Sequence, residues 1–118
     1  MILIDTSVWA DHLRRSEPGL IELLNRKEIL THPLVIEELA CGHLPNRVEF
    51  LNMIHALPQS PVATHAEVLG LISNAKLYGT GLGSVDVHII ASAMLGKARL
   101  WSRDKALARE AARLDLHI

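Results

Sequence analysis

Short apolar runs alternate with helix-like segments along this chain, and this alternation constrains its fold more than any other feature. Candidate strands lie at residues 1–4, 28–32 and 98–101, and each is followed at once by residues that can begin a helix. Strands separated by helices usually pair in parallel and are covered on both faces. The pattern predicts an α/β fold, a three-layer α/β/α sandwich with a short parallel sheet. A length of 118 residues predicts a single domain, residues 1–118.

The helices are predicted from capping residues and from apolar periodicity. Asp5-Thr6-Ser7 can cap the first helix, and prolines can open the next two. The predicted helices cover residues 8–14, a segment from 18, 33–41, 46–55, 65–78, 85–95 (capped by Ser84) and 104–114. Residues 56–62 carry two prolines and are predicted as an edge strand at best. Residues 116–118 are predicted as a last short strand.

Composition excludes several classes of protein. Apolar residues make up 49% of the chain and charged residues 21%, which excludes intrinsic disorder. No apolar stretch approaches the roughly 18 residues of a membrane span, and the first residues lack the basic region of a signal peptide. The single cysteine, Cys41, cannot form an internal disulfide, so we expect a cytoplasmic protein with no membrane partner.

The net charge of −1 hides a basic stretch near the end of the chain. Residues 97–113 contain six basic residues and two acidic ones. A local basic patch can bind phosphate even in a nearly neutral protein. The same residues can equally form an ordinary solvated helix face, and the charge count alone does not separate the two.

Two aspartates directly follow predicted strands. In parallel α/β folds, ligands bind beyond the carboxyl ends of the strands. Asp5 follows the first strand and Asp104 lies just past the strand at 98–101. Each can serve as a helix N-cap or as a chemical group, and position alone leaves both roles open.

Two further acids lie on apolar helices. Glu38 has Leu34 one turn before it and Cys41 one turn after it, so we expect it to face inward while Glu37 points to solvent. Asp86 stands in the first turn of the most apolar helix, where it can also complement the helix dipole. An inward acid is unfavourable unless it is paired or bound to a metal.

Four converging acids without a cation would repel one another and raise their pKa values. A divalent ion removes that conflict, and oxygen ligands suit Mg²⁺ or Mn²⁺. Such an ion promotes the attack of water on a phosphodiester. The pattern therefore indicates metal-assisted hydrolysis.

Four segments contain the candidate acids: ILIDTSVW (2–9), VIEELACG (35–42), GSVDVHIIASA (83–93) and LWSRDKAL (100–107). In this order they resemble the small PIN-domain ribonucleases, specifically the VapC-type toxins of type II toxin–antitoxin modules. The resemblance spans essentially the whole chain. Trp101 departs from the pattern, because a smaller apolar residue is common at that position.

The resemblance implies a PIN-like fold and a metal-dependent endoribonuclease that uses Mg²⁺, with Mn²⁺ as a substitute. The implied catalytic acids are Asp5, Glu38, Asp86 and Asp104, of which the three aspartates are the implied metal ligands. It also selects Glu38 over Glu37 and implies supporting roles for Thr6 and Ser102. The implied partners are RNA, an inhibitory VapB-type antitoxin and a second copy of the chain.

Three arginines are candidates for contact with RNA phosphates. Arg103 lies between Ser102 and Asp104, and Arg14 and Arg15 lie in the first helix region near Asp5. A solvated helix face is the alternative for Arg14 and Arg15.

Other functions fit the residues less well. A phospho-receiver domain needs an acid pair after the first strand, and a haloacid-dehalogenase-type phosphatase needs an aspartate where Ser7 stands. No His-x-x-x-His pair supports a zinc site. Two alternatives stay open: a PIN-domain RNA-processing nuclease without an antitoxin, and a non-catalytic module that binds RNA or protein.

Overall fold

A computed structural model describes residues 1–118 as seven helices and three short strands. In chain order these are β1 (Ile2–Ile4), α1 (Thr6–Arg14), α2 (Pro18–Asn25), β2 (Ile29–Leu30), α3 (Pro33–Ala40), α4 (Arg47–His55), α5 (His65–Asn74), α6 (Ser84–Leu95), β3 (Arg99–Trp101) and α7 (Lys105–Arg113). The predicted α/β architecture with a short parallel sheet is confirmed. No helix combines the length and the hydropathy that crossing a bilayer requires.

The sheet has the order β2-β1-β3, and both pairings are parallel. Leu3 lies opposite Leu30 on one side and Leu100 on the other. Strand β1 is therefore central, and its carboxyl end lies beside the carboxyl end of β3. This places the residues after β1 and β3 next to each other at one edge of the sheet.

The two outermost strands expected from the sequence shrink to single bridges. Gln59 forms one parallel bridge with Thr31, and His117 forms one with Leu100. The segment around Gln59 extends no further because Pro58 and Pro61 lack an N–H donor.

The core is aliphatic, as the composition predicts. Leu3, Ile4 and Leu100 of the sheet are fully buried, and so are Trp9 of α1 and Ile90 of α6. Helix α6 packs against β1 and β3, while α3 packs against α1 and α4. These contacts bring the start of α6 to the edge of the sheet where β1 and β3 end.

Several helix ends differ from the prediction by a few residues. Thr64 caps α5 in a capping box with Glu67, and α5 begins at His65 as predicted but ends at Asn74 rather than near residue 78. Gly83, not Ser84, is the N-cap of α6. Asn46 precedes α4 in a left-handed conformation with φ of 50° and makes no side-chain cap.

Candidate active site

Asp5 has the first of the two roles that its position left open, that of a helix N-cap. It is the N-cap of α1 and is only 6% exposed. Its Oδ2 atom accepts hydrogen bonds from Ser7 Oγ at 2.6 Å, from Ser102 Oγ at 2.9 Å and from Ser7 N at 3.3 Å. Its Oδ1 atom accepts none, so one oxygen fixes the carboxylate and the other is free for a ligand.

Ser102 joins the residues that follow β1 and β3. Its buried hydroxyl donates to Asp5 Oδ2 and accepts from the backbone N of Asp104 at 3.0 Å. Asp104 is the N-cap of α7, where its Oδ1 atom accepts from Leu107 N at 2.9 Å. One serine therefore sets the distance between two acidic residues that are distant in the sequence.

Glu38 is exposed, which corrects the expectation that it faces inward. The buried side of α3 consists of Val35, Ile36 and Leu39. Glu38 lies beside this apolar side and points toward the start of α1, where Thr6 Oγ1 donates to its Oε1 atom at 2.6 Å. Helical periodicity identified the correct side of α3 but did not distinguish the core from the gap between two helices.

Asp86 is half-buried in the first turn of α6. Its Oδ2 atom accepts from Gly83 N at 3.0 Å, its only hydrogen bond. Burial raises the pKa of the Asp86 carboxyl, and the hydrogen bond from Gly83 lowers it by less. The negative charges of Asp5, Asp104 and Glu38 add to the rise. Asp5, Asp104 and Glu38 therefore lie near enough to Asp86 to act on its carboxyl electrostatically.

The four carboxylates share a pattern that suits a divalent cation. Each accepts protein hydrogen bonds through one oxygen and leaves the other without a partner. None of them pairs with a lysine, arginine or histidine. As they stand, no three acidic, histidine or cysteine side chains converge in an arrangement that could hold a metal ion. The donor set fits Mg²⁺ or Mn²⁺ in its chemistry, and the metal ligands Asp5, Asp86 and Asp104 stay a prediction.

The predicted RNA-binding arginines differ in their surroundings. Arg103 contacts Asp11 and Glu17, which raises the pKa of its guanidinium and lowers the pKa of both acids. Arg14 also pairs with Asp11, whereas Arg15 is exposed and makes no ion pair. Of the three arginines, Arg15 alone has a side chain with no hydrogen bond or ion pair within the protein.

Much of the basic stretch at 97–113 binds the protein itself. Arg109 and Arg113 flank the buried Glu110 and lower the pKa of its carboxyl, Arg113 more strongly. The same two arginines donate to the backbone oxygens of Thr80 and Ala75. Their main observed role is to attach α7 to the segment between α5 and α6.

Sequence analysis missed two residues that shape the site. Ser7 was noted only as a capping residue, yet it makes the shortest hydrogen bond to Asp5. His32 caps α3, which carries Glu38: its Nδ1 atom accepts from Leu34 N at 3.0 Å, and its Nε2 atom lies 2.9 Å from Ser92 Oγ. Burial, and secondly the charge of His88, lowers the pKa of His32 to about 4, so it is neutral near pH 7. A polar residue directly before Pro33 was the available signal.

Comparison with known proteins identifies the family to which this parallel sheet, with acidic residues beyond its carboxyl end, belongs. The family model of the PIN domain matches residues 2–113. The chain therefore belongs to the PIN-domain family.

Among characterised proteins, the chain is similar to Ribonuclease VapC32 of two Mycobacterium tuberculosis strains, CDC 1551 and H37Rv. It is 52% identical to each over 108 residues, which cover 91% of this chain and 87% of the relative. The resemblance to VapC-type ribonucleases seen in the four sequence segments is confirmed.

Solved structures confirm the fold. FitAB bound to an IR36 DNA fragment superposes with a TM-score of 0.65 at 17% identity, over 95% of this chain and 91% of that one. FitAcB from Neisseria gonorrhoeae superposes with a TM-score of 0.64 at 21% identity, over 95% and 94% of the two chains.

Proposed function

We propose that this protein is a divalent-metal-dependent endoribonuclease and the toxin of a type II toxin–antitoxin module. The observation that carries the proposal is the set of four carboxylates with no cation among them, each with one oxygen free of hydrogen bonds. The similarity to Ribonuclease VapC32 supports RNA as the substrate.

In this proposal Asp5, Asp86 and Asp104 hold the metal, which is Mg²⁺ or, as a substitute, Mn²⁺. When bound, such an ion lowers the pKa of water and neutralises charge on phosphate oxygens. Ser102 supports the site by fixing Asp5 and the backbone of Asp104 together. Burial, and secondly the charges of Asp5, Asp104 and Glu38, raise the pKa of Asp86, and a bound cation would favour its charged form, which supports the metal role.

Glu38 takes the proton-handling role. Thr6 holds its Oε1 atom, so Oε2 has a restricted position and no competing donor. Glu38 is exposed and is fixed from one side only, and in this proposal its Oε2 atom accepts a proton from the attacking water. A cleft of about 380 Å³ opens beside Thr6 and Glu38 and gives a substrate access to this atom.

Cleavage of short labelled RNAs tests the proposal directly. Wild-type protein should cleave with Mg²⁺ or Mn²⁺ and stop in EDTA, and Asp5→Asn and Asp86→Asn should lose activity. Glu37→Gln is the matched control, because Glu37 is also exposed on α3 and makes no hydrogen bond to the site. Cleavage that persists in EDTA, or in both aspartate variants, would remove the nuclease hypothesis.

The partner proposal has a separate test. We propose a VapB-type antitoxin that covers the acidic site, a homodimeric toxin and action in the cytoplasm. A small open reading frame beside the gene should encode a protein that co-purifies with this chain and suppresses cleavage. If no neighbouring product does so while cleavage is intact, the protein is an RNA-processing PIN nuclease rather than a toxin.

A further inference from the structure

The sequence predicts that Arg103 contacts an RNA phosphate, but its guanidinium faces two carboxylates of its own chain. Nη1 lies 3.1 Å from Asp11 Oδ2, and Nη2 pairs with Glu17 Oε2. The guanidinium also lies over the indole of Trp101, with Cζ 5.5 Å from the ring centroid. We call Asp11, Glu17, Trp101 and Arg103 the Arg103 cluster.

The Arg103 cluster connects three elements. Asp11 belongs to α1, Trp101 is the last residue of β3, and Glu17 is the N-cap of α2, where its Oε1 atom accepts from Gly19 N at 3.1 Å. A Cβ atom at Gly19 would lie 3.3 Å from Trp101 Cη2, so the glycine leaves the room that the indole needs. The bulky Trp101, which departs from the family pattern, thus has a role: its ring supports the guanidinium.

The backbone of Arg103 faces the acidic site. Its N–H donates to Ser7 Oγ at 2.9 Å, and that hydroxyl in turn donates to Asp5 Oδ2. Its chain neighbours are Ser102, which donates to Asp5, and Asp104. Arg103 therefore stands between the Arg103 cluster on one side and the carboxylates on the other.

The charge of Arg103 is already matched inside the protein. Its side chain is 38% exposed and that of Glu17 is 20% exposed, so the pairs are partly shielded from water. Nη1 and Nη2 each already face a carboxylate, so a phosphate that approaches these atoms meets two negative charges of the protein itself. Isolated surface ion pairs contribute little, but this arginine combines two carboxylates with an aromatic face.

We propose that Arg103 is a positioning residue that anchors the 102–104 segment to α1 and α2, and so holds Ser102 and Asp104 in place, rather than a residue that binds the RNA backbone. This inference rests on the proposed nuclease function. Its role resembles that of the outer groups that orient metal ligands in other proteins.

Two sets of variants test the proposal. Arg103→Gln removes the guanidinium, whereas the double variant Asp11→Asn/Glu17→Gln keeps Arg103 and removes both of its charged partners. Arg26→Gln is the control, because Arg26 pairs with Glu22 at the other end of α2 in an exposed i,i+4 pair. The measurements are the Kd of Mn²⁺ for RNA-free protein, kcat and KM on a short single-stranded RNA, and amide hydrogen exchange at residues 103 and 104 without metal.

The positioning role predicts the same change in both sets. Arg103→Gln and the double variant should each weaken Mn²⁺ binding and lower kcat by about 10- to 100-fold, with KM changed by less than about twofold. Exchange of the two amides should accelerate in metal-free protein. Combining all three substitutions should add little, because either set alone removes the same anchor.

A phosphate-binding role predicts the reverse for the double variant. If Arg103 binds RNA, releasing it from Asp11 and Glu17 should lower KM and leave kcat unchanged, while Arg103→Gln should raise KM with unchanged Mn²⁺ binding. That result would overturn the proposal. If Arg103→Gln does not fold, the KM, kcat and Mn²⁺ affinity of the double variant Asp11→Asn/Glu17→Gln alone distinguish the two roles. If the wild type binds Mn²⁺ but cleaves no RNA, the proposed function fails, while Mn²⁺ binding and amide exchange still decide the role of Arg103.

Discussion

The acidic site has two parts that are built differently. Asp5 and Asp104 follow the parallel strands β1 and β3, and a serine hydroxyl connects them across the sheet edge. Glu38 and Asp86 lie on helices, and each accepts one hydrogen bond, from Thr6 and from Gly83. The Asp5 carboxylate accepts three hydrogen bonds, whereas the Asp104 carboxylate, like each helix acid, accepts one, so the two parts differ mainly through Asp5 and its contact with Ser102.

This difference separates stability from function. Asp5 is buried and satisfies three donors, so its removal leaves those donors without a partner. Asp86 has a raised pKa, so its charge destabilises the metal-free fold. Replacing Asp5 should therefore lower the free energy of unfolding of the metal-free protein, whereas replacing Asp86 should leave it unchanged or raise it.

Asp5→Ala should lower the free energy of unfolding of the metal-free protein by about 3 kcal/mol, because it removes an N-cap and three hydrogen bonds to a carboxylate. Urea denaturation in EDTA measures the change. A loss below about 0.5 kcal/mol would show that Asp5 is not part of the structural network.

Ser102→Ala should lower the same free energy by about 1–2 kcal/mol, because Asp5 loses a donor and the Asp104 backbone loses an acceptor. The control is Ser73→Ala, an exposed serine in α5 with no side-chain hydrogen bond, which should leave stability nearly unchanged. Equal effects of the two substitutions would contradict the connecting role of Ser102.

Asp86→Asn should leave metal-free stability unchanged or higher. An acid whose pKa is raised by folding destabilises the fold above that pKa, and the effect vanishes below its ordinary value of 3.8. Wild-type stability should thus fall as the pH rises through the raised pKa of Asp86, and the variant should lack that decrease. Thermal denaturation between pH 3 and 8 measures both curves, and marked destabilisation of the variant near pH 7 would reveal a structural role instead.

Glu38→Gln should leave the melting temperature unchanged and still lower the cleavage rate, since Glu38 is exposed and acts through its free oxygen. Glu37→Gln should change neither quantity. Equal cleavage by the two variants would remove Glu38 from the proposed mechanism.

Local rules explain which parts of this architecture the sequence could predict. An apolar run that ends at Asp5-Thr6-Ser7 combines a strand signal with a cap signal, and both depend only on neighbouring residues. The predicted edge strand near Gln59 forms only one bridge, because edge pairing depends on a distant partner as well as on local propensity. Pro58 and Pro61 also limit its pairing, because they lack an N–H donor.

The candidate site likewise combines features that neighbouring residues determine with features that depend on distant contacts. That Asp5 and Asp104 lie close together follows from the ends of β1 and β3 meeting at one edge of a parallel sheet. The exposure of Glu38 depends on how α3 packs against α1, which periodicity does not specify. The acidic partners of Arg103 lie more than 80 residues away in the sequence, so local patterns could not predict these two ion pairs.

The central place of β1 in the sheet has a consequence for biosynthesis. Strand β1 is made before residues 99–101, so until they follow it lacks its neighbour on one side. Ser102 and Asp104 follow directly behind that last strand. A chain synthesised only as far as α6 therefore has Asp5 and Ser7 in place but lacks the Ser102 donor and Asp104, and the acidic site is assembled only after residue 104 has emerged.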